Sequence, residues 1–269
     1  MHASPIQAIV FDWAGTTVDF GSRAPILAFQ SLFSDQGVEI EVSEARAPMG
    51  LEKRDHIAAL LQMPRIAATW HKVHGKAATE TDIDRLYQDF IPYQLQAIPQ
   101  CADLIPGAIE TFQDLRRRQI KIGSNTGYAR MMMTELIHHA EQQGYKPDCI
   151  VTASDVSRGR PYPDMLWKNL MQLGSSEIKT VVKVDDTVVG IHEGLNAGCW
   201  TVALAISGNE VGMSYEEWQN CPPEQQQQLK AKAYTTMQNS GAHYVIDTIA
   251  DLPKVIDAIE VRLNCGEKP

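Results

Sequence analysis

Six short apolar runs, at residues 8–11, 120–124, 150–152, 181–184, 201–206 and 244–246, constrain this chain more than any other feature. Each is long enough for one buried strand and too short for a buried helix. Segments with helical spacing lie among them, at 105–118, 129–143, 164–173, 188–197 and 249–263. Strands that alternate with helices build a parallel sheet covered on both faces. The expected class is therefore α/β with a Rossmann-like parallel sheet. Gly144, Gly174 and Gly198 stand where helices of this set should end, and Pro106 where the first should begin.

Residues 20–100 break the alternation. Apolar positions recur there at helical spacing: Ile26, Phe29 and Phe33, then Ile57, Leu60 and Leu61, then Ile83, Leu86 and Phe90. Ser43 and Thr81 have the character of helix N-caps. Met49-Gly50 interrupts the helix begun near Ser43, which puts Lys53 in the first turn of the next. The expected organisation is a core of residues 1–20 and 100–269 with an all-helical insert at 21–99. Pro99 and Pro106 frame the return to the core. A second, smaller helical excursion is expected at 215–239, broken by Pro222-Pro223.

Bulk properties exclude several classes. A net charge of −9, with no basic run beyond Arg116-Arg117-Arg118, argues against nucleic acid as a partner. No apolar stretch approaches a membrane span, and the first residues, Met1-His2-Ala3-Ser4-Pro5, lack a basic-then-apolar leader pattern. The five cysteines, Cys101, Cys149, Cys199, Cys221 and Cys265, are odd in number and contain no CxxC pair. Neither a disulfide frame nor a zinc site is expected, and the compartment should be reducing and cytoplasmic.

The chemistry gathers at strand ends. Asp12-Trp13-Ala14-Gly15-Thr16-Thr17-Val18-Asp19 follows the first apolar run, where ligands bind in open α/β sheets. A carboxylate there can attack phosphorus while turn amides, such as that of Gly15, hold phosphoryl oxygens. Gly123-Ser124-Asn125-Thr126-Gly127 ends a second strand and brings hydroxyl and backbone donors to a helix start, a site suited to an anion. Arg160, in Gly159-Arg160-Pro161-Tyr162-Pro163, can make two-pronged contacts to phosphate or to the nucleophile. Asp185 and Asp186 close a fourth apolar run with hard oxygen ligands that suit magnesium. Taken singly, each has an ordinary structural role as a turn or helix cap. Four such segments in order point to phosphoryl chemistry.

These four segments resemble the ordered motifs of the haloacid dehalogenase superfamily. The resemblance implies Asp12 as nucleophile, Thr16 as the closing threonine of the first motif and Thr126 as the phosphate-binding hydroxyl. It implies magnesium on Asp12, Asp186 and the Ala14 carbonyl, with Asp185 beside them. Many relatives carry another acid four residues after the main metal ligand, where this chain has Gly190. It also implies that residues 21–99 are a cap domain whose movement opens and closes the site.

Phosphatases of the superfamily carry an acid where this chain has Ala14, and use it to protonate the departing alcohol. Ala14 together with Met49-Gly50-Leu51-Glu52-Lys53 resembles the phosphonatase branch, and the likeness continues through residues 194–202 and 207–210. A carbon–phosphorus bond resists hydrolysis because its leaving group is a carbanion. A lysine imine next to that bond accepts the electron pair and turns the leaving group into an enamine, which needs no acid. The resemblance therefore implies cleavage of phosphonoacetaldehyde to acetaldehyde and phosphate, with Lys53 as the imine-forming amine, in breakdown of 2-aminoethylphosphonate. The positive end of the helix dipole and neighbouring Arg54 would both disfavour an ammonium at Lys53. Met49 and His56 are implied to shape the aldehyde end and handle protons. Gly15, Ser22, Gly127 and Tyr128 join Ala14 as implied substrate contacts, and a homodimer through the cap is implied. The alternatives are a magnesium-dependent phosphatase or phosphomutase on the same fold, and a non-catalytic phosphate-binding protein.

Overall fold

In a computed structural model of the chain, residues 4–269 are described; Met1, His2 and Ala3, part of the stretch read for a leader, lie outside the described residues. The strands are β1 (Ala8–Phe11), β2 (Lys121–Thr126), β3 (Cys149–Thr152), β4 (Val181–Asp185), β5 (Trp200–Leu204) and β6 (Tyr244–Ile246). They pair in parallel as one sheet in the order β3-β2-β1-β4-β5-β6. The order reverses between β1 and β4, so the crevice at their carboxyl ends is the place for a ligand. Ala8–Phe11 is buried along its whole length, which explains why it reads as a run rather than an alternation.

Five helices follow β1 within residues 20–100: α1 (Ala24–Asp35), α2 (Val42–Arg46), α3 (Lys53–Gln62), α4 (Pro64–His74) and α5 (Glu80–Ala97). α1 lies along α5, and the Phe29 and Phe90 rings stack 4.5 Å apart between them. Leu32, Leu60 and Leu86 complete this interior, which is continuous with the apolar layer under the sheet. The chain enters and leaves the insert side by side. The Asp19 amide donates to the Asp103 carbonyl and the Ile105 amide to the Thr17 carbonyl. The Asp19 carboxylate then accepts the Arg23 and Ala24 amides at the start of α1.

After β2 come α7 (Arg130–Gln142), α8 (Asp164–Leu173), α9 (Val188–Ala197), α10 (Tyr215–Asn220), α11 (Pro223–Asn239) and α12 (Leu252–Asn264); α6 (Ala108–Arg117) precedes it. The helix break at Pro222-Pro223 falls between α10 and α11. No helix among the described residues is long and apolar enough to cross a membrane. All five cysteines are free thiols.

Three expected helix starts shift. α2 is capped by Glu41, not Ser43, because the Glu44 carboxylate returns to the Glu41 amide. α5 is capped by Thr79, not Thr81, because Asp82 sits three residues on and completes the reciprocal pair. Pro106 lies before its helix: the cap is Gly107, at φ 87°, where a side chain would overlap Ala250.

If the insert owes its stability to its own interior, Leu86→Ala should lower the unfolding free energy by about 2–5 kcal/mol. Urea denaturation measures it, and an unchanged midpoint would contradict the packing described.

Candidate active site

Asp12 leaves β1 into a turn whose amides are largely consumed locally. The Thr16, Thr17 and Val18 amides all donate to the Trp13 carbonyl. Gly15, at φ 82°, sits where a side chain would overlap the Asp186 carboxylate. Its own amide donates to the carbonyls of Val18 (2.7 Å) and Asp19 (3.0 Å). Gly15 therefore shapes the turn around Asp186 instead of offering an amide to an anion. The Thr16 hydroxyl lies 3.3 Å from Asp186 Oδ1, and the Asn209 amide donates to Asp186 Oδ2 at 2.8 Å.

Oxygens of Asp12, Asp185 and Asp186 all lie within 4.8 Å of one another, and all three residues are buried. Arg160 reaches this group from the loop before α8. Its guanidinium lies 2.8 Å from Asp12 Oδ1, 3.4 Å from Asp185 and 3.0 Å from Glu193 on α9. Lys183, fully buried in the middle of β4, approaches Asp185 at 3.0 Å and Glu193 at 3.3 Å. Asn125 joins both cations through its side-chain oxygen (2.7 Å to Arg160, 2.6 Å to Lys183) and donates to Glu193 at 3.0 Å.

The electrostatics follow from burial. Burial pushes Asp12 up to about 6, with Arg160 opposing it and Asp185 adding to it. Asp186 is raised well above the usual carboxylate range by burial and then by repulsion from Asp12 and Asp185. Burial acts to raise Asp185 too, but Arg160 and Lys183 outweigh it and hold that carboxyl down. Asp12, Asp185 and Asp186 crowd their oxygens together, and the first two raise the cost of a charge on Asp186. A hard oxygen set whose mutual repulsion a cation would relieve fits one divalent ion.

Gly190 belongs to the same arrangement. A side chain there would overlap the Asp185 carboxylate. The acid expected at 190 from the resemblance is absent, and the Asp185 carboxylate fills the space it would need.

The turn from Met49 to Glu52 crosses over this group from the insert. Gly50, at φ 91°, has no room for a side chain against Thr187 and Val189, and Gly127 none against the Leu51 carbonyl (2.8 Å). That close approach leaves Lys53, first residue of α3, buried on the wall of a narrow cavity. Asp12, Ala14, Ser22, Met49, Lys53, Thr126, Gly127, Tyr128, Arg160 and Asp186 all line this cavity. Gly15, His56 and Asp185 do not appear on its wall.

The Lys53 amine lies 5.1 Å from the Tyr128 ring centroid and 5.6 Å from that of Phe29. Burial lowers it from 10.5 to about 8, against the pull of Asp12 and Glu52, with Arg160 helping. Arg54 does not act as expected. It turns outward to Glu80 and Asp84, each at 2.7 Å. The cation that disfavours the Lys53 ammonium is Arg160, from the sheet side.

His56 lies one turn behind Lys53, stacked on Phe29 at 4.0 Å, with Nε2 2.9 Å from the Ala45 carbonyl. A carbonyl only accepts, so Nε2 carries the hydrogen and Nδ1 is left as an acceptor without a partner. Burial and the Lys53 charge hold His56 well below its usual range, so the ring is neutral at pH 7. Burial and nearby acids keep the Tyr128 phenol protonated.

Sequence reasoning passed over Lys183 and Glu193, and gave Asn125 and Thr187 no role of their own within their motifs. Lys183 had a signal, a charge inside an otherwise apolar strand; Glu193, in a helix, had none.

The haloacid dehalogenase-like hydrolase family profile matches residues 6–198. The phosphonoacetaldehyde hydrolase of Hahella chejuensis is 49% identical over 268 residues, covering 100% of this chain and 91% of the relative. That of Vibrio cholerae is 46% identical over 272 residues, covering 100% of both. A crystal structure of a phosphonoacetaldehyde hydrolase-like protein from Oleispira antarctica superposes with a TM-score of 0.98 at 48% identity, covering 99% of this chain and 97% of that one.

The Lys53 environment has a measurable consequence. Its reductive alkylation by a small aldehyde should rise with pH through about 8, as the free amine appears, while exposed lysines titrate near ~10.4. Asp12→Asn removes a charge that favours the ammonium, so it should move the midpoint lower. Peptide mass spectrometry reads both; an ordinary midpoint at Lys53 would contradict the geometry.

Proposed function

The chain belongs to the haloacid dehalogenase-like hydrolases, and on that premise we propose that it hydrolyses the carbon–phosphorus bond of phosphonoacetaldehyde to acetaldehyde and phosphate. The observation that carries the reading is the pairing in one cavity of a buried, pKa-lowered Lys53 with Ala14 beside Asp12. An alkoxide leaving group would call for an acid at Ala14; an enamine does not.

The Lys53 amine adds to the aldehyde carbon and water leaves, giving a protonated imine. Neutral His56, one turn behind that amine, keeps Nδ1 able to accept a hydrogen bond and adds no charge beside the imine. Asp12 then attacks phosphorus. The carbon–phosphorus electron pair moves into the imine, so the leaving group is an enamine and Asp12 becomes an aspartyl-phosphate. The enamine takes a proton at carbon, and water releases acetaldehyde and restores Lys53. A second water cleaves the acyl phosphate to phosphate and Asp12. One water enters and one leaves at the imine, so the net reaction consumes one.

One Arg160 nitrogen holds Asp12 Oδ1 at 2.8 Å and faces the cavity that would take the phosphoryl group, and the Thr126 hydroxyl, which accepts the Tyr128 amide, is free to donate beside it. Met49, Ser22 and Tyr128 line the same cavity and would enclose the aldehyde end. Asp12, Asp186 and the Ala14 carbonyl would hold magnesium, with Asp185 adjacent. Bound there, magnesium would neutralise phosphoryl charge. The same reading makes residues 21–99 a cap domain and the protein a cytoplasmic homodimer through it, acting in 2-aminoethylphosphonate breakdown.

Borohydride added to a mixture of protein, magnesium and phosphonoacetaldehyde should leave a reduced adduct on Lys53, with activity lost in proportion. Lys53→Arg should lower kcat/KM by roughly 10³-fold or more. Asp12→Asn should still form the adduct but release no phosphate. Phosphate-ester hydrolysis without any adduct would make the protein a phosphatase instead.

A further inference from the structure

Arg46, the last residue of α2, binds neutral oxygens from two remote segments. Its Nη1 donates to the Gly21 carbonyl at 2.9 Å and lies 3.4 and 3.2 Å from the backbone and side-chain oxygens of Asn209. Its Nη2 donates to the Gly212 carbonyl at 2.9 Å. Asn209 answers with a bond from Nδ2 to the Arg46 carbonyl at 3.3 Å. Gly212, at φ 69°, is shaped to receive the guanidinium, since a Cβ there would stand 2.5 Å from Cζ. Only a planar fork with several donors meets this set of carbonyls at once.

Both ends of this clamp lead into the site. The Met49 amide donates to the Arg46 carbonyl at 3.0 Å and opens the turn that delivers Lys53. On the other side the Asn209 amide holds Asp186 Oδ2 at 2.8 Å. One guanidinium thus ties the segment carrying the amine to the loop that orients an acid beside the nucleophile. It touches neither the cavity wall nor the reacting atoms.

We propose that Arg46 is a positioning residue: it fixes the turn 47–52 against the loop 207–213, so that Lys53 and Asp186 keep one register about Asp12. The catalytic part rests on the reading of Lys53 given above. An ångström of slip between amine and nucleophile is enough to lose about 10²-fold in rate.

The test uses the full chain with magnesium, as Arg46→Ala and as Arg46→Lys, which keeps the charge but loses the fork. In Arg46→Ala, kcat should fall about 10²-fold with a smaller change in KM. Peptides spanning 47–53 and 207–213 should exchange amide hydrogens faster together, while sheet peptides stay protected. Millimolar guanidinium should restore part of kcat, which a generally weakened fold would not allow. Arg46→Lys should fall between, and it carries the same readouts if the alanine variant does not fold. Unchanged kcat, exchange confined to one segment, or equal loosening of the sheet would overturn the proposal. If the native protein forms no Lys53 adduct, the functional reading fails instead, and the paired exchange still decides whether Arg46 couples the two segments.

Discussion

Burial of Arg160 among carboxylates is the interaction on which the rest of the site depends. A guanidinium that is almost wholly enclosed is tolerated only with its donors engaged, and here Asp12, Glu193 and Asn125 engage them. Lys183 lies beneath and matches the charge that Arg160 leaves over on Glu193 and Asp185. Strand order puts the acids there, because β1 and β4 are neighbours at the point where the sheet reverses. Removing either cation would leave buried carboxylates uncompensated, an expensive state in a low-dielectric interior. Asp12 is thus held by a network rooted in the interior of β4.

The helical insert supplies what the sheet cannot. A lysine on the sheet side would join the ion network and stay an ammonium. Lys53 arrives from the opposite wall, among Phe29 and Tyr128, where desolvation outweighs the pull of Asp12. The missing side chains at Gly50 and Gly127 allow two backbones to come close enough for this. Lys53 and Asp12 therefore share a cavity, with apolar rings on one side of the amine and the ion network on the other side of the carboxylate.

Much of this was legible in the sequence, for a physical reason. Asp12, Thr126 and Asp186 stand at strand ends, and the period of burial marks strand ends well. Lys53 was singled out by the likeness to the phosphonatase branch, and the Met49-Gly50 break gave its place in the first turn of α3. Arg54 was misjudged because adjacency in sequence says nothing of direction on a helix, and it turns to α5. Gly15 was misjudged because a turn's free amides cannot be counted until its internal bonds are known. Helix caps missed by two residues, since several Ser, Thr and acidic residues cluster at those starts and only side-chain geometry chooses. Arg46 and Asn209 are 163 residues apart and carry no local pattern.

The exclusion between Asp185 and position 190 links two sites that look independent in the sequence. A carboxylate at 185 and any side chain at 190 compete for one volume. Substitutions there are strongly epistatic, because each changes the space that decides whether the other is tolerated. The acid can migrate from the strand to the helix only if residue 185 shrinks first; the reverse order passes through an overfilled intermediate. A lineage or an engineering campaign that moves this carboxylate is therefore confined to one of two mutational orders.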